Sequence, residues 1–193
     1  MHNNQPQNLN QIMEQASTRA ATAFGEMLNL PVTVQLSNAD LLNWQAMLHL
    51  IDQETPNWGS AVVLPFLEKA QAGKSGGIQG ESIFMLPAGS DQTLMQAVFE
   101  QIPDMQNDVD ARQNILLEMG NVLLNACVGT VVNQLNKNVV YQTPQLIEPA
   151  QIRSFFNAQS DNPDSALWMR SKLGVGGLEV NAEIILIMQD SKI

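Results

Sequence analysis

Apolar residues recur at helical spacing from Leu9 to Leu28, at Leu9, Ile12, Met13, Ala16, Ala20, Ala23, Phe24, Met27 and Leu28. This predicts a long helix that ends before Pro31. The polar stretch 1–8 before it reads as a frayed start. Val32, Val34 and Leu36 alternate and predict a short strand, and Leu41–Ile51 reads as a second helix. Trp58 and Gly59 mark a break, and Ala61–Phe66 and Ile78–Leu86 are strand-like runs. The glycines of AGKSGG (72–77) lie between those runs, as in a hairpin or loose loop. Ser90 opens a helix through about Ile102 with Asp91 in its first turn, and PDMQND (103–108) forms a connector.

From Val109 the pattern starts again. A long helix to about Leu135, a strand at Val139–Tyr141 and a shorter helix at about Ala150–Asn157 are predicted. DNPD (161–164) breaks the chain, and Ala166–Lys172 and Leu178–Met188 read as closing strands. The echo extends to residues: LNLPVT at 28–33 parallels LNKNVV at 135–140, an offset of 107. GGI at 76–78 parallels GGL at 176–178, and IFML at 83–86 resembles IILI at 184–187. The common order points to an internal duplication. The expected organisation is one pseudo-symmetric α+β domain over 1–193, with two long helices packed on antiparallel sheet. Its first repeat covers 9–88, a connecting helix and linker 89–108, and its second repeat 109–190.

Composition narrows the chemistry. Of the 193 residues only 15% are charged, against roughly 25% in a typical soluble protein. Nineteen acidic residues face nine basic ones, a net charge of -10, which argues against nucleic acid as a partner. Eighteen asparagines and twenty glutamines fill the polar gap. A single cysteine, Cys127, excludes a disulfide framework and any multi-Cys metal site, and reads as buried packing in a reducing cytoplasm. His2 and His49 are too few for a histidine-rich metal site or a Ser-His-Asp triad, so no metal site is predicted. Trp44, Trp58 and Trp168 read as core or interface. No apolar run approaches the ~20 residues of a membrane span, and no signal peptide opens the chain. AGKSGG is not a Walker loop, because the position five residues before Gly73 is Glu68 rather than Gly. Any catalysis must therefore run on carboxylates and amides.

The second long helix carries the most informative polar pattern. Asn114, Glu118, Asn121 and Asn125 are spaced by four, three and four, along one helix face. Ile115, Leu116, Met119, Val122, Leu123 and Ala126 flank them and bury the helix. On periodicity alone the stripe is the solvated face of an amphipathic helix. Yet such a face usually collects Lys and Glu, and three asparagines lower helix propensity.

The run EMGNVLLNACVGTVVNQLN (118–136) resembles the signature helix of the CheC/CheX/FliY family of chemotaxis phosphatases. There an Asp or Ser is followed four residues on by Glu, three further by Asn, and after twenty-two intervening residues by Pro. Glu118, Asn121 and Pro144 match; the first position is Asn114, a departure. Length and duplicated layout also resemble two-repeat CheC. In the first half, AATAFGEMLN (20–29) is similar to the end of that helix. Carried back without a gap, the Glu position falls on Gln11, the Asn position on Glu14 and the Pro position on Ser37. A shift of three residues pairs Glu14 with Ser17 and still lacks the amide, so one degenerate site is expected there.

The resemblance implies hydrolysis of the aspartyl phosphate of a phosphorylated CheY-like response regulator. It implies no cofactor of the chain's own, because the regulator supplies Mg²⁺ and a lysine. Asn121 would position the attacking water and Glu118 would pair with that lysine. Asn114 and Asn125 would extend the partner-binding face, and a CheD-like protein is a further implied partner. Two other expectations stand beside this one. One is a non-catalytic module of the same fold that binds a regulator or a flagellar-switch component. The other is a scaffold with an Asn-rich solvated helix and no regulator partner.

Overall fold

The structure, a computed structural model, describes residues 5–54, 57–69, 77–100, 109–134, 136–159 and 165–190. In chain order the elements are α1 (Gln5–Leu28), β1 (Val32–Asn43), α2 (Trp44–Glu54), β2 (Trp58–Glu68), β3 (Ile78–Pro87) and α3 (Ser90–Phe99). Then come α4 (Val109–Gln134), β4 (Val139–Tyr141), β5 (Gln145–Ile147), α5 (Pro149–Asn157), β6 (Ser165–Val175) and β7 (Leu178–Asp190). The fold is α+β, as expected. The strands form one antiparallel sheet in the order β1-β6-β7-β3-β2-β4, with β5 also on β2.

Both long helices end in the same way. Asn29 and Asn136 take left-handed backbone conformations, with φ of 53° and 54°. The N–H of Leu30 then donates to the carbonyl of Gly25, and that of Lys137 to the carbonyl of Val132, both at 3.1 Å. This is a Schellman turn, and asparagine is the residue after glycine that tolerates its left-handed position. The two asparagines are related by the offset that joins LNLPVT to LNKNVV.

The same offset runs through the sheet. Val34 pairs with Leu173; advancing the first and retreating the second by that offset gives Tyr141 and Phe66, which also pair. Ala39 pairs with Met169, and their equivalents Leu146 and Val62 pair in turn. Between these two registers β1 has a bulge at 37–38, whereas the other half breaks into β4 and β5 at 142–144. Ser37 in the bulge corresponds to Pro144 in the break. Proline lacks the N–H a ladder needs, so one long strand becomes two short ones.

The helices cover both faces. α1, α3 and α4 lie with Val62, Leu64, Phe84, Met169 and Ile184. On the other face α2 and α5 cover Trp58, Val63, Ile83, Trp168 and Ile185. The three tryptophans are therefore core, and Trp58 and Trp168 pack with their ring centroids 6.4 Å apart. Burial on both faces explains why β3 and β7 read as apolar runs rather than strict alternation.

Some boundaries differ from expectation. β1 continues through Leu41, Leu42 and Asn43, which had the period of the second helix, so that α2 starts at Trp44. Pairing of this segment with Ser165–Ala166 and Leu167 overrides its helical pattern. β2 begins at Trp58, where a break was expected, and β5 was not foreseen. α3 ends at Phe99 rather than near Ile102. The AGKSGG loop up to Gly76, the connector 103–108, DNPD and the polar start 1–4 lie outside the described residues.

α4 corrects one further expectation. Its stretch Asp110–Gln134 has a mean hydropathy of 1.7 over 18 residues, enough by length and composition to cross a membrane. Small polar residues interrupt its apolar runs, which is why no run stood out. Half of that window is buried inside the fold, against β2, β3 and α1. Gly120 sets how close the helix lies: a Cβ there would come within 2.7 Å of both γ carbons of Val62.

Candidate functional site

The stripe lies along this tightly held helix. Leu116, Met119, Leu123 and Leu124 are buried beneath it, which fixes its rotation about the axis. Asn114 and Glu118 are exposed, and Asn121 and Asn125 are half-buried. Among the described residues the side chain of neither Asn114 nor Glu118 makes a hydrogen bond or ion pair. A carboxylate therefore stands free one helical turn from a partly sheltered amide.

That amide is held. The side-chain nitrogen of Asn125 donates to the side-chain oxygen of Asn121 at 2.8 Å and to its backbone oxygen at 2.9 Å. The Tyr141 hydroxyl, on β4, reaches the Asn125 carbonyl at 3.5 Å and lies against Gly129. Burial pushes the Tyr141 hydroxyl pKa up, and the neighbouring Cys127 adds to the effect. Cys127 itself is buried, and desolvation pushes its thiol up to about 12. It is a packing residue, and a thiol so unwilling to ionise is no nucleophile.

The first-half residues lie elsewhere on the helix pair. α1 and α4 pack antiparallel: Arg19 donates to the Thr130 hydroxyl at 3.4 Å, and Gln134 reaches Gln15 at 3.5 Å. Continuing that register places Gln11 and Glu14 toward the C-terminal end of α4, and Asn121 level with the last turn of α1. Gln11 and Glu14 are exposed and are not brought to Glu118 or Asn121. Ser17 is occupied, its hydroxyl accepting from the N–H of Leu36 at 3.2 Å. Where Gly120 lets α4 close on the sheet, the equivalent first-half position is Met13. A groove of about 830 Å³ lies between α1 and β1, lined among others by Met13, Glu14, Thr18, Thr22 and Val34. The residue 107 positions on from Val34 is Tyr141, whose hydroxyl lies against Gly129 of α4.

The positions were legible from spacing, but the Asn125–Asn121 hydrogen bond was not. The four-residue interval brings two side chains together without saying which way either amide points. Among the described residues no group of three His, Cys, Asp or Glu side chains could hold a metal ion.

No protein-family model matches the sequence, and no curated protein does. Solved structures do match. FliY of Thermotoga maritima has a TM-score of 0.64 at 12% identity, over 96% of this chain and 92% of that one. The FliM middle domain of Vibrio alginolyticus has a TM-score of 0.60 at 10% identity, over 93% and 92%. The chemotaxis protein CheX of Desulfovibrio desulfuricans has a TM-score of 0.51 at 11% identity, over 91% and 99%. The chain thus has the fold of the CheC/CheX/FliY group, the fold that the signature helix implied.

Proposed function

We propose that this chain is a protein-aspartyl-phosphate phosphatase that acts on a phosphorylated CheY-like response regulator in the cytoplasm. One observation carries the reading: a free, exposed Glu118 stands one turn from Asn121, whose amide is already held in place on a rigid core helix. Phosphoryl transfer needs positioning and electrostatics more than covalent help. Among the described residues the Asn121 NH₂ is unengaged, and its oxygen keeps a second lone pair, enough to orient one water in line with the departing aspartate. Glu118 would pair with the regulator's lysine and set the docking register, and the regulator would bring its own Mg²⁺. No covalent intermediate on this chain is needed.

The matched registers and helix ends support a duplicated domain of two repeats, of which the second keeps the site. The test is phosphate release from phosphorylated regulators of the same cell. Addition of the chain should accelerate release, and Asn121→Ala should abolish the acceleration while the circular dichroism spectrum stays unchanged. Equal acceleration by the Asn121→Ala variant would overturn the mechanism.

A second reading has its own support. The FliM middle domain matches this fold better than CheX does, and FliM of H. pylori has been crystallised in complex with FliG. Together with Asn114 at a position where the phosphatases carry Asp or Ser, this favours a binding module for a regulator or switch component without turnover. A CheD-like protein would be a partner under either reading. Binding of phosphorylated regulator with no faster phosphate loss would decide for the module.

A further inference from the structure

We infer that Asn125 is the positioning residue of the site: it locks the Asn121 amide in one orientation before any partner arrives. The inference rests on the proposed phosphatase reading and deepens it. A lone asparagine on a helix surface rotates about χ1 and χ2, and its amide has two orientations that present opposite chemistry. Here the Asn125 nitrogen donates twice to Asn121, at 2.9 Å to the backbone oxygen and 2.8 Å to the side-chain oxygen. The second bond commits one lone pair of that oxygen and turns the Asn121 NH₂ away from Asn125. Asn125 is half-buried, and its backbone carbonyl accepts from the Tyr141 hydroxyl at 3.5 Å, which ties the α4 backbone at this point to β4. Order in the free protein removes an entropic cost that the chemical step would otherwise carry.

The first half provides an internal contrast. The first-half equivalents of Asn121 and Asn125 are Glu14 and Thr18. The Thr18 hydroxyl donates only to the backbone oxygen of Glu14, at 3.0 Å. The back-bond to the helix is kept there, and the side-chain bond that orients an amide is missing. Of the two helices, the one with the amide is the one with its clamp.

Two variants and one wild-type measurement test this. Asn125→Ala removes the donor. Asn125→Asp keeps the shape but makes position 125 an acceptor, which favours the opposite Asn121 orientation. Both should lower kcat for phosphate release about tenfold, the effect of one hydrogen bond on the barrier, with KM nearly unchanged. The ¹⁵N-resolved side-chain NH₂ signals of Asn121 should shift in opposite senses in the two variants. In the unmodified protein the Asn125 NH₂ should exchange with solvent more slowly than that of exposed Asn114, a measurement that needs no variant to fold. If Asn121→Ala is inactive while both Asn125 variants keep full kcat, or if the Asn125 NH₂ exchanges as fast as Asn114's, the positioning role is refuted. If Asn121→Ala itself keeps full activity, the phosphatase reading falls and the inference with it.

Discussion

Gly120 of α4 lies on Val62 of β2 so closely that a methyl group at position 120 would sit 2.5 Å from the Val62 Cβ. Val62 is β-branched and held in the sheet between Phe84 and Leu146, so it cannot rotate out of the way. Gly120→Ala thus sets two effects against each other. Helix propensity favours alanine by about 0.8–1 kcal/mol, while overpacking costs about 1–3 kcal/mol. Backbone-proximal overlap places the clash at the upper end, and a net destabilisation of about 1–2 kcal/mol is expected. Urea denaturation followed by tryptophan fluorescence measures it. A midpoint at or above that of the unmodified chain would show that α4 can lift off the sheet without loss.

Glu118 should act mainly in docking. It is exposed and unpaired among the described residues, so removing its charge costs the free protein little. At an interface, losing one partner of a desolvated charge pair costs about 2–5 kcal/mol. Glu118→Gln is therefore expected to raise KM for the phosphorylated regulator at least about thirtyfold, taking the low end of that range. Thermal stability should stay within the few tenths of a kcal/mol typical of a surface change. The salt dependence of KM should flatten as well. Unchanged KM in steady-state phosphate release would remove Glu118 from the interface.

Alkaline instability should follow from the core thiol. The Cys127 thiol is raised from 9.0 to about 12 by burial in the folded chain. Its contribution to stability is fully present below the unfolded value and is lost as pH rises toward the folded one. Over that window the unfolded state has released a proton that the folded state keeps, so stability falls with a limiting slope of about 1.4 kcal/mol per pH unit. Burial raises the Tyr141 hydroxyl as well, and its contribution has the same sign. Denaturation midpoints between pH 8 and 11 test the slope, and Cys127→Ala should flatten it at some cost in packing. Native protein should also resist thiol reagents at pH 8; rapid modification without unfolding would contradict the burial.

Much of this was legible in the chain. The offset between LNLPVT and LNKNVV marks the paired Schellman turns at Asn29 and Asn136, since a helix end is decided by local backbone needs. The stripe on α4 was legible because intervals of three and four residues fix neighbours within one rigid helix. Leu41 and Leu42 were not, because their apolar spacing fits a helix while their pairing with Ala166 and Leu167 is non-local. β5 is set by its pairing with β2, far away in the chain. The direction of the Asn125 amide depends on one hydrogen bond, which leaves no trace in spacing.

The first-half positions provide the last prediction. The double variant Gln11→Ala, Glu14→Ala is expected to retain nearly full phosphate-release activity. The two side chains are exposed on α1, and among the described residues neither engages a partner through a side-chain bond that would be lost with it. Antiparallel packing of α1 and α4, shown by Arg19 against Thr130 and Gln15 against Gln134, keeps them away from Asn121. A regulator docked on Glu118 and Asn121 would have to span the helix pair to reach them. Position 14 carries a carboxylate where the second half has an amide, and an ionised carboxylate only accepts hydrogen bonds and repels a phosphoryl oxygen. Alanine at both positions also raises helix propensity slightly, so stability should hold or rise by a few tenths of a kcal/mol. Single-turnover phosphate release and thermal denaturation of the double variant check both halves of the argument. A loss of more than about tenfold in rate with an unchanged melting temperature would assign the first half a working role, and would move the regulator's footprint across both helices.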